Sequence, residues 1–225
     1  MKGILLYLRD LEMNNHRDWY HANKTRYKNA MAEFEDVVNQ LIVSIGAFDP
    51  SVLHNSAKDL TFKLVRDTRF SHDKSPYNPA FRAHIAADGK LPIPVGYFLK
   101  IAPDGKSFLG GGLFASMFKE ATAMVRDYLV AHPGEFESII ADKQFARLFS
   151  VKGEALKNVP KGYDPEHSLA EYLKFKSWYL EYPVADSELL DTEEFVRQAA
   201  DLFCQMKPFN DYLNTALARF TMPSR

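Results

Sequence analysis

The sequence predicts an α+β fold, in which a largely antiparallel central sheet of about four to six strands packs with N-terminal and C-terminal helices. Near both ends of the 225-residue chain, apolar residues recur at helical spacing, over residues 27–45 and 195–206. Between about residues 60 and 113 the period changes to alternation, which is typical of strands that bury one face. Helices first, strands next and helices last is an α+β order rather than an alternating β-α-β order.

The N-terminal third of the chain predicts two helices. A short apolar stripe over residues 5–11 indicates a helix that ends near residues 14–15. The longer stripe over residues 27–45 indicates a second helix, which Gly46 ends. The segment between the two helices is expected to be a turn, from which Trp19 packs into the core.

The middle of the chain predicts three or four short strands. Alternating apolar residues mark residues 62–64, 81–85 and 97–101, and glycines and prolines punctuate the segments between them. Short connections of this kind favour antiparallel pairing. The aromatic stretch at residues 175–183 predicts one more strand.

Helices return after the glycine run at residues 110–112. The apolar stripe that begins at Phe114 predicts a helix that Ser116 caps and that continues to Leu129. A shorter helix is expected at residues 135–141.

The C-terminal part of the chain predicts three more helices. Asp164 or Ser168 is expected to cap a helix that runs to Lys174. Asp191 is expected to cap the helix that carries the last apolar stripe. Pro208 is expected to open a separate final helix.

Composition excludes several classes of protein. A net charge of −1 and a pI of about 6.7 exclude broad electrostatic attraction to nucleic acid or anionic membranes, although a local basic patch remains compatible. Cys204 is the single cysteine, which excludes an internal disulfide, and its apolar neighbours predict a buried side chain. No apolar stretch approaches the roughly 18 residues of a membrane span. We therefore expect one globular domain over residues 1–225, cytoplasmic and without a membrane partner, and no feature predicts its oligomeric state.

One segment, LTFKLVRDTRFSHDKSPYNPAFR at residues 60–82, combines clustered positive charge with restrained backbone. Arg66 follows the predicted strand on its core-facing side, so its guanidinium must be paired or must face a polar pocket. Arg69, Ser71 and Lys74 follow in a loop whose two prolines restrict its conformations. Such a loop loses little conformational freedom when it binds a ligand.

The side chains of this loop suit an oxyanion such as phosphate, sulfate or carboxylate. Arginine forks, a lysine ammonium and hydroxyl groups are the donors that such anions prefer. Amides at a helix start after Gly112 would add further donors. If the protein is an enzyme, Asp67, Asp73 or His84 would supply acid–base function. The predicted ligand-binding residues are Arg66, Arg69, Ser71, Lys74, Tyr77 and Lys161.

Two other interpretations of the same loop stay open. The arginines can pair with acids such as Asp67 or Asp73, in which case the loop is a structural network. Alternatively, the loop serves a non-enzymatic interaction module that contacts a nucleic acid or a protein, with Phe70 and Tyr77 as stacking aromatics. Salt dependence distinguishes the nucleic-acid case from the small-ligand case.

The remaining motifs give weaker signals. Asp164 and His167 are the two candidate metal ligands in one cluster, too few to predict a metal site. The glycine run lacks the ending of a phosphate-binding loop, and a close backbone approach explains it as well. No nucleophile elbow, zinc-protease motif or calcium-binding loop occurs, so the sequence does not identify a cofactor, and the cofactor stays unknown.

Several separated motifs occur in the order typical of a known family. The run RDTRFSHDKSPY, with NNHRDWYHANKTRY upstream and SFLGGGLF and VPKGYDPEHSLAEYLKFKSW downstream, resembles the bacterial domain of unknown function family 2461. The likeness covers nearly the whole chain. It implies one compact domain and brings no activity, cofactor or catalytic residue.

Overall fold

The computed structural model describes residues 1–69 and 71–223. The N-terminal part is helical, as the apolar stripes predict. Helix α1 and helix α3 confirm the two predicted helices, and α3 packs against α1. The predicted turn between them is itself a short helix, α2, whose first turn is capped by the His16 side chain. The bounds are α1 Lys2–Met13, α2 Arg17–Ala22 and α3 Lys24–Gly46.

The prediction that Trp19 packs into the core is wrong. Helix α2 has no buried residue, and Trp19 is half-exposed. Its ring lies 5.9 Å from the ring of Tyr7, and the Arg26 guanidinium lies 6.0 Å from its centroid. The indole therefore covers the edge of the core instead of filling its interior.

The sheet has four antiparallel strands in the order β1-β2-β3-β4, which confirms the predicted α+β class. Strand β1 packs against α3 and against the short helix α4. The bounds are β1 Phe81–Ile85, β2 Tyr97–Ile101, β3 Ser107–Leu113 and β4 Trp178–Val184; α4 spans Ala57–Leu60, after a 3-10 turn at Pro50–Val52.

The predicted strand at residues 62–64 is absent as a named element, because only single bridges form there. Thr61 pairs with Ala83, and Val65 pairs with Tyr77, both antiparallel. Phe62 N also donates to Arg82 O at 3.0 Å. The segment is therefore extended and lies along the free edge of β1 without forming a continuous ladder.

The glycine run lies within β3 and does not lead into a helix. Helix α5 (Lys119–Ala131) begins seven residues after Gly112, so the amides that follow the glycines do not form a helix N-terminus. Gly112 has φ +93°, and a Cβ there would lie 2.4 Å from Trp178 O. A close backbone approach is therefore the reason for glycine at this position.

The C-terminal helices differ in detail from the prediction. Ser116 does not cap α5, whose N-cap is Phe118. Pro208 does not open a new helix but lies inside the long helix α9, and the predicted helix to Lys174 reduces to the short α8. The remaining bounds are α6 Pro133–Ala141, α7 Lys143–Leu148, α8 Ala170–Leu173 and α9 Thr192–Ala216.

Cys204 also departs from its prediction, because its side chain is exposed on α9. Its neighbours Phe203 and Met206 are the ones that are fully buried. On a helix, residues one and two positions apart lie on different faces, so apolar neighbours in sequence do not make a position apolar.

The chain divides into two compact units, each with its own core. Phe34 and Phe81 lie 5.3 Å apart in the first core, and Phe136 and Phe209 lie 6.2 Å apart in the second. The prediction of a single domain over residues 1–225 stays a prediction. The first unit comprises Met1–Lys90, Phe98–Leu109 and Pro183–Leu202, and the second comprises Leu91–Tyr97, Gly110–Tyr182 and Phe203–Arg225.

The hydropathy of the helices bears on membrane insertion. Over residues 1–69 and 71–223, none of the helices combines the length and the apolar content that crossing a bilayer requires.

Candidate functional site

The loop at residues 66–77 has its two ends fastened side by side. Arg66 N donates to Pro76 O at 2.9 Å, and Asn78 N donates to Leu64 O at 2.7 Å. These bonds extend the single bridge between Val65 and Tyr77. The loop is therefore closed at its base by backbone hydrogen bonds.

Arg66 is paired inside the loop. Its side chain is 27% exposed; Nη1 bonds to the Asp73 carboxylate, and Nη2 donates to Ser71 Oγ at 3.4 Å. Asp73 Oδ1 also accepts the Ser75 N–H at 2.9 Å. Hydrogen bonds from Ser75 first, and from Arg66 second, hold the pKa of Asp73 well below its usual range.

The Arg69 guanidinium forms an ion pair with the carboxylate of Asp67. Nε lies 3.0 Å from Asp67 Oδ1, and Nη2 lies 2.6 Å from Asp67 Oδ2, which is a bidentate pair. The hydrogen bond from Arg69 lowers the pKa of Asp67, and the same bond raises the pKa of Arg69. Both side chains are largely exposed, at 77% for Arg69 and 57% for Asp67.

The other loop residues predicted to bind a ligand have different surroundings. Lys74 Nζ donates to Thr68 O at 3.0 Å, so it braces the loop backbone. The Tyr77 ring is 5% exposed and stacks on Tyr20 with centroids 4.3 Å apart. Phe70, the second aromatic of the interaction-module hypothesis, lies outside the described residues.

The loop is joined to the N-terminal motif through Asn15. Asn15 Nδ2 donates to Tyr77 O at 2.9 Å, and Asn15 Oδ1 accepts the Tyr77 N–H at 3.1 Å. Two segments that resemble the same family, residues 14–27 and 66–77, therefore meet in the first unit. Sequence patterns gave no pairing between them, because the contact joins residues 62 positions apart.

A cluster of tyrosines surrounds this contact and was missed from the sequence. Tyr20 lies 5.3 Å from Tyr27, and Tyr7 lies 6.1 Å from Tyr27, ring centre to ring centre. Burial raises the pKa of Tyr20 to about 12, and burial also raises the pKa values of Tyr7 and Tyr27. Helical spacing could not have shown this cluster, because Tyr7, Tyr20 and Tyr27 lie on three different helices.

Lys161 belongs to the second unit and lines a depression of about 590 Å³ there. Lys157 and Lys174 line the same depression, with Glu171 as the one carboxylate among its lining residues. Lys174 Nζ lies 2.5 Å from Glu171 Oε1. Within the part of the chain that the structure describes, no carboxylate lies within ion-pair distance of Lys157 or Lys161.

Tyr163 closes one side of this lysine depression. Its hydroxyl donates to Asp127 Oδ1 at 2.8 Å. Burial, with a further contribution from Asp127, raises the pKa of Tyr163 to about 12, so the phenol stays protonated over the physiological range. The lining of the depression is therefore cationic and neutral, with its one carboxylate already paired.

The weak metal candidates act as turn acceptors. Asp164 Oδ1 accepts the Glu166 N–H at 2.9 Å, and His167 Nδ1 accepts the Leu169 N–H at 3.0 Å. Among residues 1–69 and 71–223, no group of three or more His, Cys, Asp or Glu side chains has a metal-binding arrangement.

Comparison with known proteins identifies the family of the chain. Residues 3–212 match the model of a family described as a conserved hypothetical protein, DUF2461. Neither the curated proteins nor the solved structures contain a match to the chain.

Proposed function

The chain belongs to the family of conserved hypothetical proteins DUF2461, and we propose that it binds a small anionic ligand that carries a phosphate or a carboxylate, in the depression around Lys161. The observation that carries the proposal is the charge of the lining. Lys157, Lys161 and Lys174 face a single carboxylate, Glu171, which is already paired with Lys174. Two ammonium groups thus remain to attract an anion.

The backbone around Lys161 has little conformational freedom. Pro160 and Pro165 fix φ on either side of Lys161, and Gly162 adopts φ +101°, which few other residues tolerate. A loop restrained in this way loses less conformational entropy when a ligand orders it. Lysines act as point charges and tolerate several phosphate geometries.

The loop at residues 66–77 is a second place for the same ligand class. Arg69 forms an ion pair with Asp67, and both side chains are largely exposed. Because an exposed ion pair contributes little to stability, a ligand carboxylate or phosphate can replace Asp67 at the Arg69 fork at small cost. Arg66 is less available, because Asp73 and Ser71 hold it in a half-buried position.

The test is thermal unfolding in the presence of inorganic phosphate, citrate and a set of phosphorylated metabolites. A ligand that binds only the folded state raises the unfolding midpoint as its concentration increases, by about 2.7 kcal/mol of stability at 100 times its Kd. The variants are Lys157→Gln with Lys161→Gln, and separately Arg69→Gln. Lys143→Gln, an exposed lysine on α7, is the matched control.

We expect the shift to disappear in the double lysine variant and to persist in Arg69→Gln and Lys143→Gln. A shift that disappears only in Arg69→Gln would move the site to the loop. The absence of a shift with every anion, in a wild-type protein that unfolds cooperatively, would reject anion binding.

A further inference from the structure

A second surface of the first unit combines aromatic rings and cations, and it lies on the sheet. Successive side chains of a strand point to opposite faces. On β1 and β2 the buried residues Ala83, Ile85, Leu99 and Ile101 face the core. The alternate residues of β1, β2 and β3 lie on the other face: Arg82, His84, Phe98, Lys100 and Phe108.

Phe62 joins this face from the edge of the sheet. The backbone bond from Phe62 N to Arg82 O, 3.0 Å long, places residue 62 beside β1. Lys90 Nζ reinforces the edge by donating to Thr61 O at 3.1 Å. We call the set Phe62, Arg82, His84, Phe98, Lys100 and Phe108 the aromatic face.

Three phenylalanine rings form a row across the aromatic face. Phe62 and Phe98 have centroids 6.3 Å apart, and Phe98 and Phe108 have centroids 5.7 Å apart, with the latter pair within 24° of parallel. The His84 ring lies 6.4 Å from Phe98. The row therefore extends over three adjacent extended segments and presents half-exposed rings.

The cations of the aromatic face lie against these rings. The Arg82 guanidinium is 5.3 Å from the centre of the Phe62 ring, and Lys100 Nζ is 5.4 Å from the centre of the Phe108 ring. Within residues 1–69 and 71–223, neither cation has a carboxylate within ion-pair distance, and the buried Nε of Arg82 has no hydrogen-bond acceptor. A half-buried guanidinium without an anion is costly, so the surface favours a partner that supplies one.

We propose that the aromatic face binds single-stranded nucleic acid. Unpaired bases stack on Phe98 and Phe108, and the phosphates pair with Arg82 and Lys100. Stacking platforms on a sheet, flanked by Lys and Arg, bind unpaired bases whatever their sequence, because every base has a π-face. A duplex hides these base faces, so it is bound more weakly.

The charge of the aromatic face decides between partner classes. Its half-exposed residues include two cations, Arg82 and Lys100, and no acidic side chain, although the whole chain carries a net charge of −1; His84 is buried, at 6% exposure. An ordinary protein surface offers both signs of charge, whereas a nucleic acid offers regularly spaced anions next to aromatic rings. The aromatic face shares no residue with the depression around Lys161.

The test uses short fluorescein-labelled single strands of DNA and RNA of mixed sequence, and follows anisotropy as salt increases. Phe98→Leu keeps an apolar side chain and removes the ring; Phe220→Leu, a half-exposed phenylalanine in the second unit, is its matched control. Arg82→Gln and Lys100→Gln remove one charge each, and Lys143→Gln is their control. Circular dichroism and the unfolding midpoint verify that each variant is folded.

We expect Phe98→Leu to weaken binding about tenfold, since one stacked base contributes a factor of that order. Each charge removal should lower the slope of log K against log salt by about 0.7, the value per phosphate contact of a single strand. The controls should leave both quantities unchanged.

Three outcomes would overturn the proposal. The first is no binding of either strand by the wild type at low salt. The second is equal affinity of Phe98→Leu and wild type for the strand, which would show that the strand binds through non-specific charge attraction and not through stacking. The third is that a free mononucleotide competes as well as the strand, mole for mole, which would make the face a nucleotide site and not a strand-binding surface.

Discussion

The side-chain amide of Asn15 pairs with both backbone polar groups of Tyr77. Nδ2 donates to the Tyr77 carbonyl at 2.9 Å, and Oδ1 accepts the Tyr77 N–H at 3.1 Å. The amide thus imitates a strand neighbour and fastens the base of the loop to the end of α1. Both backbone polar groups of the buried residue Tyr77 therefore depend on one side chain.

Asn15→Ala should lower the free energy of unfolding by about 1–3 kcal/mol, because it leaves a buried backbone donor and acceptor without partners. Asn15→Asp keeps the acceptor for the Tyr77 N–H but places a carboxylate oxygen against the Tyr77 carbonyl oxygen, so it should also lower the free energy of unfolding. Urea unfolding measures both. Asn158→Ala, at an exposed position, should change stability by less than about 0.5 kcal/mol. Equal effects of Asn15→Ala and Asn158→Ala would contradict this role of Asn15.

Regular elements were predictable wherever one face of the element is buried. Helix α3 and strands β1 and β2 were found because burial imposes a period on their sequences. The sequence predicted two helices where the structure has the single helix α9, because a proline such as Pro208 normally interrupts a helix. Met206 and Phe209 are both fully buried on either side of it, so packing holds the helix continuous where propensity predicts a break.

The sequence predicted which types of residue form the candidate sites, but it did not predict which side chains pair with each other. The loop was identified by its charges, but spacing alone did not show that Arg69 closes on Asp67 and Arg66 on Asp73. The aromatic face was missed because Phe62, Phe98 and Phe108 lie far apart in sequence and meet only through strand order. Phe62 was predicted to face the core together with Leu64, whereas its side chain is half-exposed. The alternation at residues 97–101 was interpreted for its buried residues and not for Phe98.

Arg126 ties α5 to a neighbouring segment through two carbonyl groups. Nε donates to Leu173 O and Nη2 donates to Phe175 O, each at 2.8 Å. Arg126→Gln should lower the free energy of unfolding by about 2–3 kcal/mol, because charged donors are lost and the carbonyls keep no equivalent partner. Denaturant unfolding measures the change against Arg147→Gln, an exposed arginine on α7. A destabilisation no larger than that control would show that water replaces the guanidinium without cost.

Acid should remove the contribution of two hydrogen-bonded carboxylates, Asp73 and Glu194, to stability. The pKa of Asp73 is lowered by folding, as is that of Glu194, which Arg197 first and Gln198 second bring to about 2. A lowered folded-state pKa contributes stability that is complete above the unfolded value and is lost as pH falls through the folded value, which for Glu194 spans about pH 4.5 to pH 2.

Asp73→Asn tests this dependence for one group. The variant should be less stable than wild type at neutral pH, and the two should converge as the pH falls below about 4. The urea midpoint, measured from neutral to acidic pH, follows the difference. Asp88→Asn, at an exposed position without an ion pair among the described residues, should run parallel to wild type. A difference for Asp73→Asn that stays constant with pH would refute the linkage.

The single thiol should be reactive in the folded protein. Because Cys204 is exposed, one equivalent of a thiol reagent should couple without denaturant, at a rate of the same order as in urea. Cys204→Ser should change the free energy of unfolding by less than about 0.5 kcal/mol, as is usual for surface positions. If labelling required urea, the thiol would be buried in the folded protein, as its apolar neighbours in the sequence predicted.

Three glycines allow the effect of a positive φ to be distinguished from the effect of a close backbone approach. Gly112 has φ +93°, and its added Cβ would also lie 2.4 Å from Trp178 O, whereas Gly162 has φ +101° with open space around it. Gly134, in α6, has neither constraint.

Gly112→Ala should therefore lower the free energy of unfolding by more than about 3 kcal/mol, because strain and a backbone clash add. Gly162→Ala should cost about 1 kcal/mol from conformation alone. Gly134→Ala should be neutral or stabilising by up to about 1 kcal/mol, since alanine restricts the unfolded chain more than glycine does. Urea unfolding of the three variants gives the order directly. Equal losses of stability in Gly112→Ala and Gly162→Ala would mean that the backbone shifts to relieve the contact between the new Cβ and Trp178 O. Glycine at position 112 would then be needed only for its positive φ.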